Sequence, residues 1–116
     1  MEEDCIFCKI VGGDIPCDMV LESDNFIVIK DVNPKTTGHS LVISKKHFKT
    51  LLDMPGSLFG EFLETAKEAS FKLLKENNAE GFNLIMNNFE VSGQVVPHVH
   101  LHIIPRKKDD GFGVGV

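Results

Sequence analysis

The apolar positions of this chain repeat with two different periods, and the changes of period divide it into elements. Between Cys5 and Val11 the residues Ile6, Phe7 and Ile10 fall at helical spacing and Gly12-Gly13 follows, which predicts a short N-terminal helix. Met19–Leu21 and Phe26–Lys30 read as strands joined by a turn at Ser23-Asp24-Asn25. Phe26-Ile27-Val28-Ile29 is an unbroken apolar run, as expected of a strand covered on both faces. Asn33 to Gly38 has the composition of a loop, and Leu41–Ile43 is a third strand. From Leu58 to Asn77 the period is helical: Phe59, Phe62, Leu63, Ala66, Ala69, Ser70, Leu73 and Leu74 share one side. Glu61, Glu64, Lys67, Glu68, Lys72 and Lys75 occupy the other, with Ser57 the expected N-cap and Gly81 the start of the exit. Such a helix spans about 30 Å, enough to cover a small sheet. Phe82–Met86 and Val95–Ile104 complete the strands around a loop at Asn87 to Gly93, and the tail from Lys107 is irregular.

Five strands, one long helix and a short N-terminal helix, joined by hairpin-like connections, predict an α+β fold on an antiparallel sheet. With 116 residues, 42% of them hydrophobic, residues 1–116 are expected to form a single domain. A net charge of -5 argues against binding a nucleic-acid polymer, which calls for a basic footprint. It is compatible with a small phosphorylated ligand held at one local site. The acidic start Met1-Glu2-Glu3-Asp4, with no long apolar run after it, leads us to expect no secretory signal, no membrane span and a cytoplasmic location. Three cysteines do not make a disulfide framework; Cys5-x-x-Cys8 suggests reduced thiols or a metal, and Cys17 a small, partly buried side chain.

The densest chemistry lies in His98-Val99-His100-Leu101-His102-Ile103-Ile104. Alternate residues of a strand face the same way, so the three imidazoles share one face and Val99, Leu101 and Ile103 the other. Imidazole titrates nearest neutral pH, so such a face can bind metal, move protons or attack a substrate. Same-face residues two apart lie about 6.6 Å apart, so three along a straight strand converge on one ion only with difficulty. Cys5, Cys8 and His47, with one histidine of the triplet, match the donor set of a closed zinc site, although the spacing alone equally fits two buried thiols. The loop Asn87-Asn88-Phe89-Glu90-Val91-Ser92-Gly93-Gln94 leads into the histidines, and its backbone N–H groups can turn towards an anion.

The pattern His-φ-His-φ-His-φ-φ at 98–104, with φ apolar, resembles that of the histidine triad (HIT) family. Cys5-Ile6-Phe7-Cys8-Lys9-Ile10, Asp31-Val32-Asn33-Pro34, Gly38-His39-Ser40-Leu41-Val42-Ile43 and Lys45-Lys46-His47 are similar in order and spacing to segments of its Hint/Hit-like branch. The resemblance runs from Cys5 to about Phe112. It implies a HIT-like α+β fold, a homodimer whose two sheets join, and hydrolysis or transfer on a purine nucleotide. The linkage attacked would be a phosphoramidate, phosphosulfate, acyl-phosphate or polyphosphate. By this resemblance His100 is the nucleophile, His102 a phosphate contact and His39 its polar support. Asp31 is the ribose acceptor, Asn87 reaches the phosphate and ribose, and Ile6, Phe7, Ile10 and Ile29 form the base pocket. Cys5, Cys8, His47 and His98 match the ligands of a structural zinc. N–H groups of Gly93, Gln94 and Val95 are expected to face the transferring phosphoryl group.

Two departures bear on specificity. Val95 stands where many relatives carry Ser or Thr, which keeps the backbone N–H and loses a hydroxyl. The chain runs only a few residues past Phe112, so any specificity set by a longer C-terminal extension is not carried over. Beside a phosphoramidase-like hydrolase, the residues allow a nucleotide-binding regulatory module with weak catalysis, a dinucleoside polyphosphate hydrolase, or a metal-storage protein.

Overall fold

The structure, a computed structural model, describes residues 4–116; Met1-Glu2-Glu3, read above as part of an acidic start, lies outside the described residues. Helix α1 (Ile6–Val11) begins on Cys5, whose thiol accepts from the Cys8 N–H at 3.4 Å, and stops at Gly12. Strands β1 (Met19–Glu22), β2 (Phe26–Lys30) and β3 (Ser40–Ser44) follow, then helix α2 (Phe59–Asn77) and strands β4 (Gly81–Ile85) and β5 (His100–Arg106). The strands form one antiparallel sheet in the order β1-β2-β3-β5-β4. The expected α+β architecture is therefore present, and among the described residues no helix is long and apolar enough to cross a membrane.

The period-2 patterning sorts the sheet's two faces. Phe26, Val28, Val42, Leu101 and Ile103 pack beneath Phe62, Ala66, Ala69 and Leu73 of α2. Ile27, Ile29, Leu41 and Ile43 face the other way and pack with Cys5, Phe7 and Cys8. Register carries the histidines to this second face: His100 pairs with Ile43 and His102 with Leu41. The long helix thus builds the core, and the short helix covers the chemistry.

Several boundaries differ from the sequence reading. The last strand begins at His100, not Val95, because Pro97 has no N–H for a ladder and the His98 N–H turns back to the Val96 carbonyl at 2.8 Å. Ser57 is not an N-cap. It lies in a 3₁₀ turn (Gly56–Leu58) that leads directly into α2, and the Phe59 N–H is satisfied by the Gly56 carbonyl. The exit from α2 is at Asn78, in the left-handed conformation at φ 51°, and Gly81 already belongs to β4, opposite Arg106. On α2 itself Phe59 and Leu63 are exposed and Thr65 is buried, its hydroxyl donating to the Glu61 carbonyl at 2.7 Å. Glu61 is not simply solvated: its carboxylate takes the Ser23 hydroxyl and the Asn25 N–H, each at 2.7 Å, and so ties α2 to the β1–β2 turn.

Candidate active site and metal centre

The hydrogen bonds around the three triad histidines separate their roles. His100 Nδ1 lies 2.7 Å from the His98 carbonyl, which can only accept, so Nδ1 carries the proton and Nε2 keeps its lone pair. His98 has the opposite tautomer: Nε2 lies 2.7 Å from the Ser44 carbonyl and must be the protonated nitrogen. Its Nδ1 lone pair then points at the sulfurs of Cys5 and Cys8, at 3.2 and 3.5 Å. His102 is set through His39. The Lys35 N–H donates to His39 Nδ1 at 3.0 Å, so His39 donates from Nε2 to His102 Nδ1 at 2.9 Å. This relay leaves His102 with an N–H on Nε2. One imidazole therefore presents a metal-type lone pair, the next a nucleophilic lone pair, and the third a donor.

Burial keeps these rings neutral. It lowers the pKa of His98 to about 4, and lowers those of His39 and His100. His102 is also held at about 4, by burial first and then by the facing His100 and His39 rings. Below the ordinary imidazole range an unfolded chain takes up a proton at this position and the folded one does not. Stability should thus hold above pH 6.5 and fall as the pH drops towards 4. Denaturant unfolding between pH 4 and 8 checks this. His102→Gln should show a shallower acid loss, and equal slopes for the two proteins would refute the assignment.

Cys5, Cys8, His47 and His98 bring four donor atoms within 4.8 Å of one another. His47 Nδ1 lies 3.2 Å from the Cys8 sulfur. Tetrahedral zinc with two sulfur and two nitrogen ligands needs S···N separations of about 3.5 Å, so the set fits such an ion. The pre-set His98 tautomer fits as well, since a ligating imidazole commonly donates its other N–H to a carbonyl. Burial raises the Cys5 pKa, a cost that a bound cation reverses by favouring the thiolate. The cluster is therefore a possible metal site, with α1 supplying the thiols and the ends of β3 and β5 the imidazoles.

An open cavity of about 510 Å³ is lined by Ile6, Ile10, Ile29, Leu41 and Asp31; it lies on the sheet face that carries His100 and His102, though no histidine among the described residues lines it. The Asp31 carboxylate is 3.5 Å from His39 Nε2, which joins the cavity to the histidines. Phe7, expected in the base pocket, is buried instead, its ring edge-on to His98 and His100 at 5.8 and 5.0 Å. Gln94 is also committed elsewhere. Its side chain accepts from the Phe89 N–H at 2.7 Å and donates to the Lys49 carbonyl at 2.6 Å, so it shapes the loop. Gly93 adopts φ 103°, and a Cβ there would meet the Asn87 amide at 3.5 Å; Val95 is almost fully exposed. The sequence reading missed the backbone partners that set each tautomer, and the Ile15 to Asp18 segment that also lines the cavity, in which Cys17, expected to be partly buried, is exposed.

A family model described as HIT domain matches residues 12–109. An adenosine 5'-monophosphoramidase of Candida albicans is 40% identical over 117 residues, covering 97% of this chain and 76% of the relative. An adenylylsulfatase of Arabidopsis thaliana is 41% identical over 110 residues, covering 95% of this chain but only 56% of the relative. A zinc-bound histidine triad family protein of Mycobacterium smegmatis superimposes with a TM-score of 0.89 at 34% identity, covering 96% of this chain and 81% of the other.

Proposed function

The chain belongs to the HIT family, and on that premise we propose that it is a nucleotide phosphoramidase acting through a covalent nucleotidyl-histidine. The observation that carries this reading is the His100 tautomer: Nδ1–H is held by the His98 carbonyl and the Nε2 lone pair is left free, on the sheet face that also carries the cavity residues Ile29 and Leu41. His100 Nε2 attacks phosphorus and the P–N bond breaks, its electron pair leaving with the amine, which takes up a proton. Water then attacks phosphorus, gives up a proton, and displaces Nε2, so the nucleoside monophosphate is released and the ring is restored. The His102 Nε2–H, supported by His39, donates to the phosphoryl oxygens, with the Val95 N–H and the Asn87 amide beside it; the Gly93 and Gln94 N–H groups, expected there, donate instead to the Glu90 and Phe89 carbonyls at 2.9 and 3.2 Å. Ile6, Ile10 and Ile29 hold the purine and Asp31 accepts from the ribose.

The ion at Cys5, Cys8, His47 and His98 is zinc in this reading, and would fix α1 to the sheet. The donor set and the zinc-bound relative support it. Thiols free of disulfides suit that site and the reducing cytoplasm. The protein would work as a homodimer. The β4 edge is unpaired, and beside it Leu63, Phe71, Leu74, Phe82 and Leu84 line an apolar groove of about 290 Å³ that a second copy would cover. Sedimentation of Phe71→Asp should show monomers where the parent chain sediments as a dimer; two monomers would reject the interface.

A panel of adenosine phosphoramidate, adenosine phosphosulfate, ADP and diadenosine polyphosphates tests the function, with His100→Ala as background. The phosphoramidate should release AMP fastest. Nucleotide binding without product from any of the four would replace the enzyme with the regulatory module, towards which the missing hydroxyl at Val95 leans.

A further inference from the structure

The cavity that holds Asp31 is lined mainly by apolar side chains, and its lining includes a polar group that the reaction does not use. From His102 the sheet register runs across to Leu41 and Ile29, and then to Met19 at the start of the edge strand β1. Asp18 immediately precedes Met19, its carbonyl accepting from the Lys30 N–H at 2.9 Å, and it lines the cavity. Three strand spacings of about 4.8 Å separate β5 from β1. A nucleotide with its phosphorus at His100 and its ribose at Asp31 would hold its base in this cavity, where Asp18 is the one other carboxylate among the described lining residues. Among the described residues the Asp18 carboxylate has no hydrogen-bond or ion-pair partner, so its two oxygens are open to a ligand.

We infer that Asp18 reads the edge of the base and makes the site prefer guanine over adenine. This rests on the nucleotide reading above and adds a specificity to it. An ionised carboxylate only accepts hydrogen bonds. Guanine offers N1–H and the 2-amino group side by side, matching two carboxylate oxygens. Adenine offers a 6-amino group beside an N1 lone pair, which a carboxylate repels. Hypoxanthine has the N1–H alone and should fall between them. A paired contact of this kind discriminates between bases, and for an exposed carboxylate such as Asp18 the effect should be about tenfold.

The test is calorimetric titration of the full chain with GMP, IMP and AMP, for the parent and for Asp18→Asn. The parent should bind GMP about tenfold more tightly than AMP, with IMP between, and Asp18→Asn should bring the gap below twofold. GMP should also slow alkylation of the neighbouring exposed Cys17 thiol, followed by mass spectrometry. Equal binding of GMP and AMP by the parent overturns the inference, as does a preference that persists in Asp18→Asn or a Cys17 left unshielded by bound GMP. If equal binding accompanies hydrolysis that depends on His100, only the Asp18 assignment fails. If no nucleotide binds at all, the reading beneath it fails too.

Discussion

His100→Asn should lower kcat/KM on a nucleoside phosphoramidate by about 10⁴-fold or more, the scale on which removal of a covalent nucleophile is felt. Asparagine is chosen because its amide N–H can still reach the His98 carbonyl, which His100 Nδ1 holds at 2.7 Å, while it offers no nucleophilic nitrogen at the Nε2 position. His100 is also 7% exposed, and alanine would leave both a void and an unpartnered carbonyl. A loss of activity in alanine alone would therefore confuse chemistry with packing. The asparagine variant should melt within a few degrees of the parent and bind the product nucleotide with similar affinity. Acid quenching of the parent during turnover should reveal a nucleotidyl adduct on His100 by mass spectrometry. A folded His100→Asn that keeps even a tenth of the parent's turnover would dismiss the nucleophile assignment. His102→Gln should be milder, about 10²- to 10³-fold, because it removes a phosphoryl donor and leaves the attacking group in place.

The contrast between those variants is written in the backbone, which is why the sequence resolves it only in part. Alternation along 98–104 is enough to put the histidines on the face opposite Val99, Leu101 and Ile103, and the structure bears this out through pairing with Ile43 and Leu41. What differentiates them is the His98 carbonyl, the Ser44 carbonyl and the Lys35 N–H; every residue type carries a carbonyl, and all but proline an N–H. No side-chain pattern can announce them. The strand start was misplaced for a more local reason: Val95 and Val96 are good strand formers, but Pro97 between them and His98 cannot join a ladder. Gln94 illustrates the limit of reading a loop by composition. Its amide is of the type that binds phosphate, and it is consumed by Phe89 and Lys49. Asp18 fails in the opposite direction. It follows Ile15-Pro16-Cys17 with no motif around it, and gains meaning only when folding brings it into the cavity lining.

Cys8→Ser should abolish zinc binding, from one ion per chain to none by elemental analysis, and lower the melting temperature by roughly 10–20 °C. The size of this effect follows from what holds α1. A helix of six residues has no stability of its own, because the cost of its first turn is not recovered over so short a length. Here its attachments are Phe7, packed against His98 and His100, and the two thiols that meet His47 and His98. Without an ion the buried Cys5 thiol and His98 imidazole would lose the shared counter-charge it supplies, and α1 would loosen from the sheet. Ile6 and Ile10, on that helix, wall the cavity, so substrate binding should suffer before chemistry does. KM should rise about tenfold while kcat changes less than about threefold, since four protein ligands would leave a bound ion no open position for substrate or water. Strong chelation of the parent should reproduce both effects, and added zinc should reverse them. A Cys8→Ser protein that keeps its ion, or one that loses kcat as steeply as His100→Asn, would show that the metal takes part in the chemistry and does not serve only to pin α1.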